Sequence, residues 1–174
     1  MEIVLFERLT DPTQLDAVRQ LLILGDQEFI PPLSSRSSST QSTLSAVTAE
    51  NGIDKYFETI RTMPTVLALD GSRVAGFMTF RFDHTCDQIG QETLPNLYAS
   101  TCVVHPDYRG QRLMSQFYTA MIESYPQRGI YTRTWHTNFG HLKVLSRLGF
   151  TQLCCLENHR GTGIHTVYYG RLPK

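Results

Sequence analysis

The spacing of apolar residues changes period several times along the chain, and each change predicts an element. Ile3, Val4, Leu5 and Phe6 predict a first strand within residues 1–9, closed by the turn residues Asp11 and Pro12. Asp11 is placed to cap a helix with Pro12 at its first position and Gln14 three residues on. Leu15, Val18, Leu21 and Leu22, continued by Phe29, give that helix one apolar face, and Gly25 marks its end. Pro31-Pro32 then breaks regular structure. Residues 34–45 are mostly Ser and Thr, a composition that favours disorder over a loop ordered by a ligand.

A second helix is expected over 48–61, with Ile53, Tyr56, Phe57 and Ile60 on one side. From Pro64 the pattern becomes extended, and 65–69 with 74–82 read as a hairpin about Asp70-Gly71. A strand over 96–104 ends at His105-Pro106. Leu113, Phe117, Met121 and Ile122 then predict a helix that runs until Pro126. A strand over 129–135, a helix over 141–148 with Leu142, Leu145 and Leu148 as its apolar side, and strands over 150–156 and 164–169 complete the chain. The pattern contains no repeat and no linker, so residues 1–174 are expected to form a single domain.

Composition narrows the partners. The 174 residues are 41% hydrophobic and 18% charged, and sixteen basic side chains balance sixteen acidic ones. A balanced charge gives no general attraction to nucleic acid or to an anionic membrane, so an anion site must be local. No apolar run approaches the roughly 20 residues needed to span a bilayer. The amino terminus lacks the form of a secretory signal, which favours the cytoplasm. Cys86, Cys102, Cys154 and Cys155 include no C-x-x-C pair, so reduced thiols are expected and no metal site.

The most informative segment is Thr101-Cys-Val-Val-His-Pro-Asp-Tyr-Arg-Gly-Gln-Arg-Leu-Met-Ser115, in which a strand turns directly into a helix. A helix start carries unpaired N–H groups and partial positive charge, and beside Arg109, Gly110 and Arg112 it suits a phosphate or pyrophosphate. Together with Trp135-His-Thr-Asn-Phe-Gly-His-Leu-Lys-Val-Leu-Ser-Arg-Leu-Gly-Phe150, it resembles the GNAT superfamily of N-acetyltransferases. Val104 to Gly110 matches that family's strand ending in Val-x-Pro-x-Tyr-Arg-Gly. Asn138 and Leu148-Gly149-Phe150 match its second signature.

The resemblance implies an α/β fold with a mixed, largely antiparallel central sheet of about seven strands and about four flanking helices. It implies acetyl-CoA as cosubstrate and direct transfer of its acetyl group to an amine of a small molecule or peptide. By the family pattern, Cys102, Val103 and Val104 pair with the pantetheine arm. Arg109, Gly110, Gln111, Arg112, Leu113 and Met114 form the pyrophosphate loop, and Asn138 contacts the cofactor arm. Arg112 and Met114 stand where the family has small residues, and Leu145 stands where many members place a catalytic Tyr. Tyr98 occupies the position of a strand Glu that serves some members as base. His84, His136 and His141 are alternatives because imidazole titrates near neutrality, His136 first among them for its place at the end of the fifth strand. The alternative, ranked behind the enzyme, is a non-catalytic acyl-CoA-binding or regulatory domain, which would tolerate the missing Tyr and Glu. In this fold residues 26–45 wall the acceptor site, with Glu28, Phe29 and Arg36 as their distinctive side chains. An apolar Val167-Tyr168-Tyr169 edge would offer a homodimer its pairing surface.

Overall fold

The computed structural model describes residues 1–45 and 52–173. Strand β1 (Glu2–Phe6) leads into helix α1 (Pro12–Gly25), and helix α2 (Gly52–Ile60) follows the described part of the intervening loop. Strands β2 (Thr65–Asp70), β3 (Arg73–Phe82) and β4 (Asn96–Val104) come next, then helix α3 (Leu113–Ser124) and strand β5 (Gly129–Trp135). Helix α4 (Phe139–Arg147) precedes the last strands, β6 (Thr151–Leu156) and β7 (Thr166–Arg171). The strands form one seven-stranded sheet in the order β1-β2-β3-β4-β5-β7-β6, antiparallel throughout except for the parallel pair β4–β5. This is the mixed, largely antiparallel sheet with four helices that the resemblance implies.

Local chemistry accounts for the element boundaries. The Asp11 carboxylate accepts from the N–H groups of Thr13 and Gln14 at 2.7 and 3.0 Å, holding the first turn of α1 with Pro12 inside it. Gly71 turns the β2–β3 hairpin at φ 59°, and Gly149 ends α4 at φ 79°. Val66, Met78, Phe80, Leu97, Phe117, Met121 and Leu145 pack α3 and α4 onto one sheet face. Leu22, Tyr56, Ile60, Leu67, Phe77 and Val103 pack α1 and α2 onto the other.

Four local expectations are corrected. The Ser/Thr-rich loop is packed where composition favoured disorder. It contains a 3-10 turn (Leu33–Ser35), and Leu33, Arg36, Ser39 and Leu44 are buried. Gln41 accepts through its side chain from the N–H groups of Ser37 and Ser38. Helix α4 begins at Phe139 and buries His141 with Leu145, so an imidazole takes part in its inner face. Phe29 lies beyond α1, edge-on to Trp135 at 6.1 Å. Strand β7 sits between β5 and β6 and is no edge, so the surface expected to pair two copies is used inside the sheet. The segment expected to open α2, residues 48–51, lies outside the described residues.

Strands β4 and β5 part company midway, which creates the site. Their parallel register runs from Asn96–Gly129 to Ala99–Thr132 and stops. Beyond it β4 remains paired to β3, and β5 to β7. The turning point carries a β-bulge: Ala99 and Thr101 face the adjacent residues Phe80 and Thr79, leaving Ser100 as the extra residue. A bulge bends its strand and increases its twist. The Thr132 hydroxyl donates to the Ala99 carbonyl at 2.9 Å, closing the last rung before the gap.

Gly76 holds β3 tightly behind the parted half of β4: a Cβ there would lie 2.9 Å from the Val103 carbonyl oxygen and 3.2 Å from the Val104 Cα. Backbone cannot yield as a side-chain tip can, so Gly76→Ala is expected to destabilise the protein by about 1–3 kcal/mol, read from urea unfolding midpoints.

Candidate active site

The gap between β4 and β5 opens into a cavity of about 520 Å³. One wall is β4 from Ala99 to Val104 and the start of α3; the other is β5 from Thr132 to Trp135 and the start of α4. Glu28, Phe29, Arg36 and Arg160 close the side nearer α1. The β4 edge released by β5 presents unpaired backbone along this cavity, and such an edge can pair with an extended ligand.

Where β4 enters α3 the backbone is shaped by two residues in the left-handed region. Gly110 has φ 78°, and Arg112, the residue before α3, has φ 60°. A small residue would hold the Arg112 conformation more easily; a non-glycine residue there costs roughly 1–2 kcal/mol. The first backbone bond into α3 runs from the Gln116 N–H to the Arg112 carbonyl. The N–H groups of Leu113, Met114 and Ser115 therefore have no acceptor among the described residues, and they present the positive end of a twelve-residue helix.

Arg109 crosses from this turn to the opposite lip. Its Nε donates to the Val104 carbonyl at 3.3 Å, and its Nη2 donates to both Glu28 carboxylate oxygens at 2.7 and 3.0 Å. Asn138 caps α4 by accepting the His141 N–H at 3.4 Å and donates through Nδ2 to the Thr134 hydroxyl at 3.0 Å. Every cofactor-loop residue named from the sequence lies on this strand, turn or helix start, and all but Gln111 line the cavity together with Asn138.

The two residues put forward as bases are placed elsewhere. Tyr98 is buried below the parting point and lines a separate cavity of about 250 Å³ with His84, His159 and Tyr168. Burial raises its phenol pKa, which holds it neutral, the opposite of what a base needs. His136 stacks on His165 with ring centroids 4.4 Å apart, and its Nδ1 accepts the His165 N–H at 3.1 Å. Neither ring is on the wall of the larger cavity. Cys102 is on that wall, and burial pushes its thiol up to about 12, which favours the neutral thiol over the thiolate.

Apart from His141, an alternative base in the sequence, sequence reasoning missed the groups that the fold brings to the wall from afar. Tyr118 of α3 and His141 of α4 meet through a 2.8 Å hydrogen bond between the phenol oxygen and Nε2, and both line the cavity. Burial holds the imidazole neutral, lowering its pKa to about 4. Trp135, Arg133 and Arg160 also face in. Tyr118 had a helical signal only, one residue after the apolar Phe117, and Arg160 had none.

The comparisons with known proteins agree with this geometry. The family model described as "Acetyltransferase (GNAT) family" matches residues 36–150. The chain belongs to the GNAT acetyltransferase family. Among solved structures, the chain is similar to yncA from Salmonella typhimurium with its cofactor acetyl-CoA: TM-score 0.66, 12% identity, 100% of this chain and 95% of that one covered. It is also similar to the aminoglycoside 6'-N-acetyltransferase from Enterococcus faecium: TM-score 0.66, 15% identity, 100% and 99% covered. A third is the ribosomal-protein-alanine N-acetyltransferase from Brucella melitensis: TM-score 0.64, 12% identity, 99% of each chain covered. At these identities the likeness establishes the GNAT fold. No curated protein matches the sequence. No helix among the described residues is long and apolar enough to cross a membrane.

The neutral His141 of this GNAT domain has a consequence for stability. The unfolded chain protonates this imidazole near 6.5 and the folded chain only near 4, so the unfolded state binds more protons between those values. Stability is therefore expected to fall as pH drops through that window, by about 2 kcal/mol between pH 7.5 and 5.0. Urea unfolding at both pH values should show this loss in the wild type and a smaller one in His141→Gln.

Proposed function

We propose that residues 1–174 form one N-acetyltransferase domain that moves the acetyl group of acetyl-CoA to an amine of a small molecule or peptide by direct attack. The observation that carries this reading is the unpaired β4 edge running straight into the free N–H groups of α3, along one wall of the cleft between β4 and β5. An extended amide-bearing arm fits the first and a pyrophosphate fits the second. When bound, acetyl-CoA supplies an activated thioester carbonyl.

Residues of the chain do the rest. Cys102, Val103 and Val104 offer backbone groups to the arm. Gly110 to Met114 and the first turn of α3 take the phosphates, with Arg109 and Arg112 adding charge. Arg109 can turn to phosphate only by loosening its hold on Glu28, so cofactor binding and the closed lip compete for one guanidinium. The neutral amine forms the C–N bond as the C–S bond breaks, and its surplus proton passes to solvent water. A backbone N–H of β4 polarises the carbonyl oxygen, and holding both reactants in the cleft supplies much of the rate through effective concentration. Tyr118 takes the place of the family's α4 Tyr as donor toward the departing sulfur. The phenol oxygen is held by His141 Nε2 at 2.8 Å and also meets the Thr132 hydroxyl, and burial keeps the phenol protonated.

Calorimetric titration with acetyl-CoA tests the cofactor site: micromolar binding is expected, weakened at least tenfold in Arg109→Ala. No binding by the wild type would remove the enzyme reading. Binding without thiol release across a panel of amines would favour the non-catalytic acyl-CoA-binding domain. Tyr118→Phe is expected to lower kcat roughly 10–100-fold with acetyl-CoA affinity unchanged. An unchanged kcat would exclude the phenol from catalysis.

A further inference from the structure

Charge on the acceptor side of the cavity is unbalanced. Among the described residues Arg19, Arg61, Arg73, Arg109 and Arg128 each pair with a carboxylate, most of them at well-exposed positions. Arg36, Arg133 and Arg160 line the cavity and have no such partner among the described residues. Arg36 and Arg160 are each only 6% exposed.

Neutral groups hold all three in place. Arg36 donates from Nε and Nη2 to the Pro31 carbonyl at 3.0 and 2.8 Å. Arg160 donates from Nη1 to the Ile30 carbonyl at 2.6 Å and from Nε to the Thr166 hydroxyl at 2.9 Å. Arg133 reaches the Gln41 carbonyl at 2.7 Å and the Tyr168 hydroxyl at 3.3 Å. Carbonyls and hydroxyls fix the planes of the guanidinium groups but leave their charge uncompensated. Nη1 of Arg36 and Nη2 of Arg160 donate to nothing among the described residues. Asp26, the one carboxylate among the described residues acting on Arg36, is already occupied by the Ser34 N–H and hydroxyl and by Gln27.

Burial and mutual repulsion lower Arg160 to about 9, and burial lowers Arg36 to about 10. Several desolvated cations gathered without a counterion are a configuration that an anionic ligand stabilises. Between them stand Phe29 and Trp135, edge-on to each other, with the Arg36 guanidinium 5.5 Å from the Phe29 ring centroid and that of Arg160 5.6 Å from Trp135. The aromatic pair offers an apolar wall to the carbon skeleton of such a ligand.

We propose that Arg36, Arg133 and Arg160 seat an oxyanion on the acceptor, so that the amine acetylated belongs to a small zwitterion carrying a carboxylate or a phosphonate. This inference rests on the acetyltransferase reading. A peptide α-amine has an amide where this anion would be, and a polycation is repelled by the same three charges. The phosphates of the cofactor have their own cations and N–H groups at the far end of the cavity, about Arg109 and the start of α3.

The test uses matched acceptors: free amino acids, their carboxamides and the corresponding aminoalkylphosphonates, each followed by thiol release from acetyl-CoA and by the shift in thermal unfolding midpoint that the acceptor alone produces. The expected result is a kcat/KM at least a hundredfold higher for one of the anionic forms than for its amide. Arg160→Gln and Arg36→Gln should cut that ratio below tenfold while leaving acetyl-CoA affinity within threefold of wild type. Should either variant fail to fold, Arg133→Lys keeps the charge, loses the planar fork and is expected to reduce the ratio in part. Preference for carboxylate over phosphonate, or the reverse, identifies the source of the anion. Equal turnover of acids and amides overturns the inference and leaves the acetyltransferase reading standing. If thiol release fails for every acceptor, the midpoint shifts still decide: anions that stabilise more than their amides support the anion seat, and equal shifts overturn it.

Discussion

The separation of β4 from β5 is the constraint on which the rest of the structure depends. Two parallel strands joined through α3 share four rungs, and then the bulge at Ser100 turns β4 aside. A parted sheet would leave two rows of unpaired backbone and a void. Here each side is held by its other neighbour, β4 by β3 and β5 by β7. Side chains brace the opening: the Tyr56 hydroxyl meets the Thr101 hydroxyl at 2.7 Å from α2, and Asn138 ties Thr134 to the start of α4. The gap is thus a supported feature of the fold. It sets a free strand edge beside a helix start, two elements that suit different parts of one long, anionic ligand.

Electrostatics divides the cavity into unlike ends. At the α3 end, helix N–H groups and Arg109 present positive potential that is exposed and, in Arg109, partly spent on Glu28. At the opposite end the positive charge is carried by three arginines from distant parts of the chain, Arg36 and Arg160 buried and Arg133 partly so, and none pairs with a carboxylate among the described residues. A formal net charge of zero therefore conceals a strongly local field. Burial removes the water that would screen it, which is why charges held only by carbonyls matter here and would not on the surface.

The loop from Leu33 to Leu44 shows how that buried charge is retained. Its Ser and Thr residues carry little hydrophobic drive, yet Leu33 and Leu44 are almost fully buried. The arginines hold the surrounding backbone: Arg36 grips Pro31, Arg160 grips Ile30, and Arg133 grips Gln41. His159 adds a 2.6 Å bond to the Ser42 carbonyl. The same side chains that build the charged pocket order the segment that covers it.

Local pattern carried far into the fold. Apolar periodicity located β1, α1, the β2–β3 hairpin, β4, α3 and β5, because each buries a regular face and is bounded by Pro, Gly or Asp. The strand-to-helix turn at residues 101–115 was legible because its chemistry is contiguous in sequence, as is the Asn138 cap. What failed was whatever depends on partners far along the chain. Composition gave loop 34–45 to disorder because the cations that order it come from β5 and from the segment before β7. Tyr98 and His136 matched by position alone, and only the sheet showed one sealed beneath the parting point and the other turned onto His165. The last strand read as an edge because strand order is not a local property: β6 precedes β7 in sequence but lies outside it in the sheet. The sequence by itself determined the elements and the phosphate-type turn, since both rest on contacts within a few residues. Tertiary structure alone decided the charge and lining of the cleft, since Arg36, Tyr118, Arg133, His141 and Arg160 meet only across the fold.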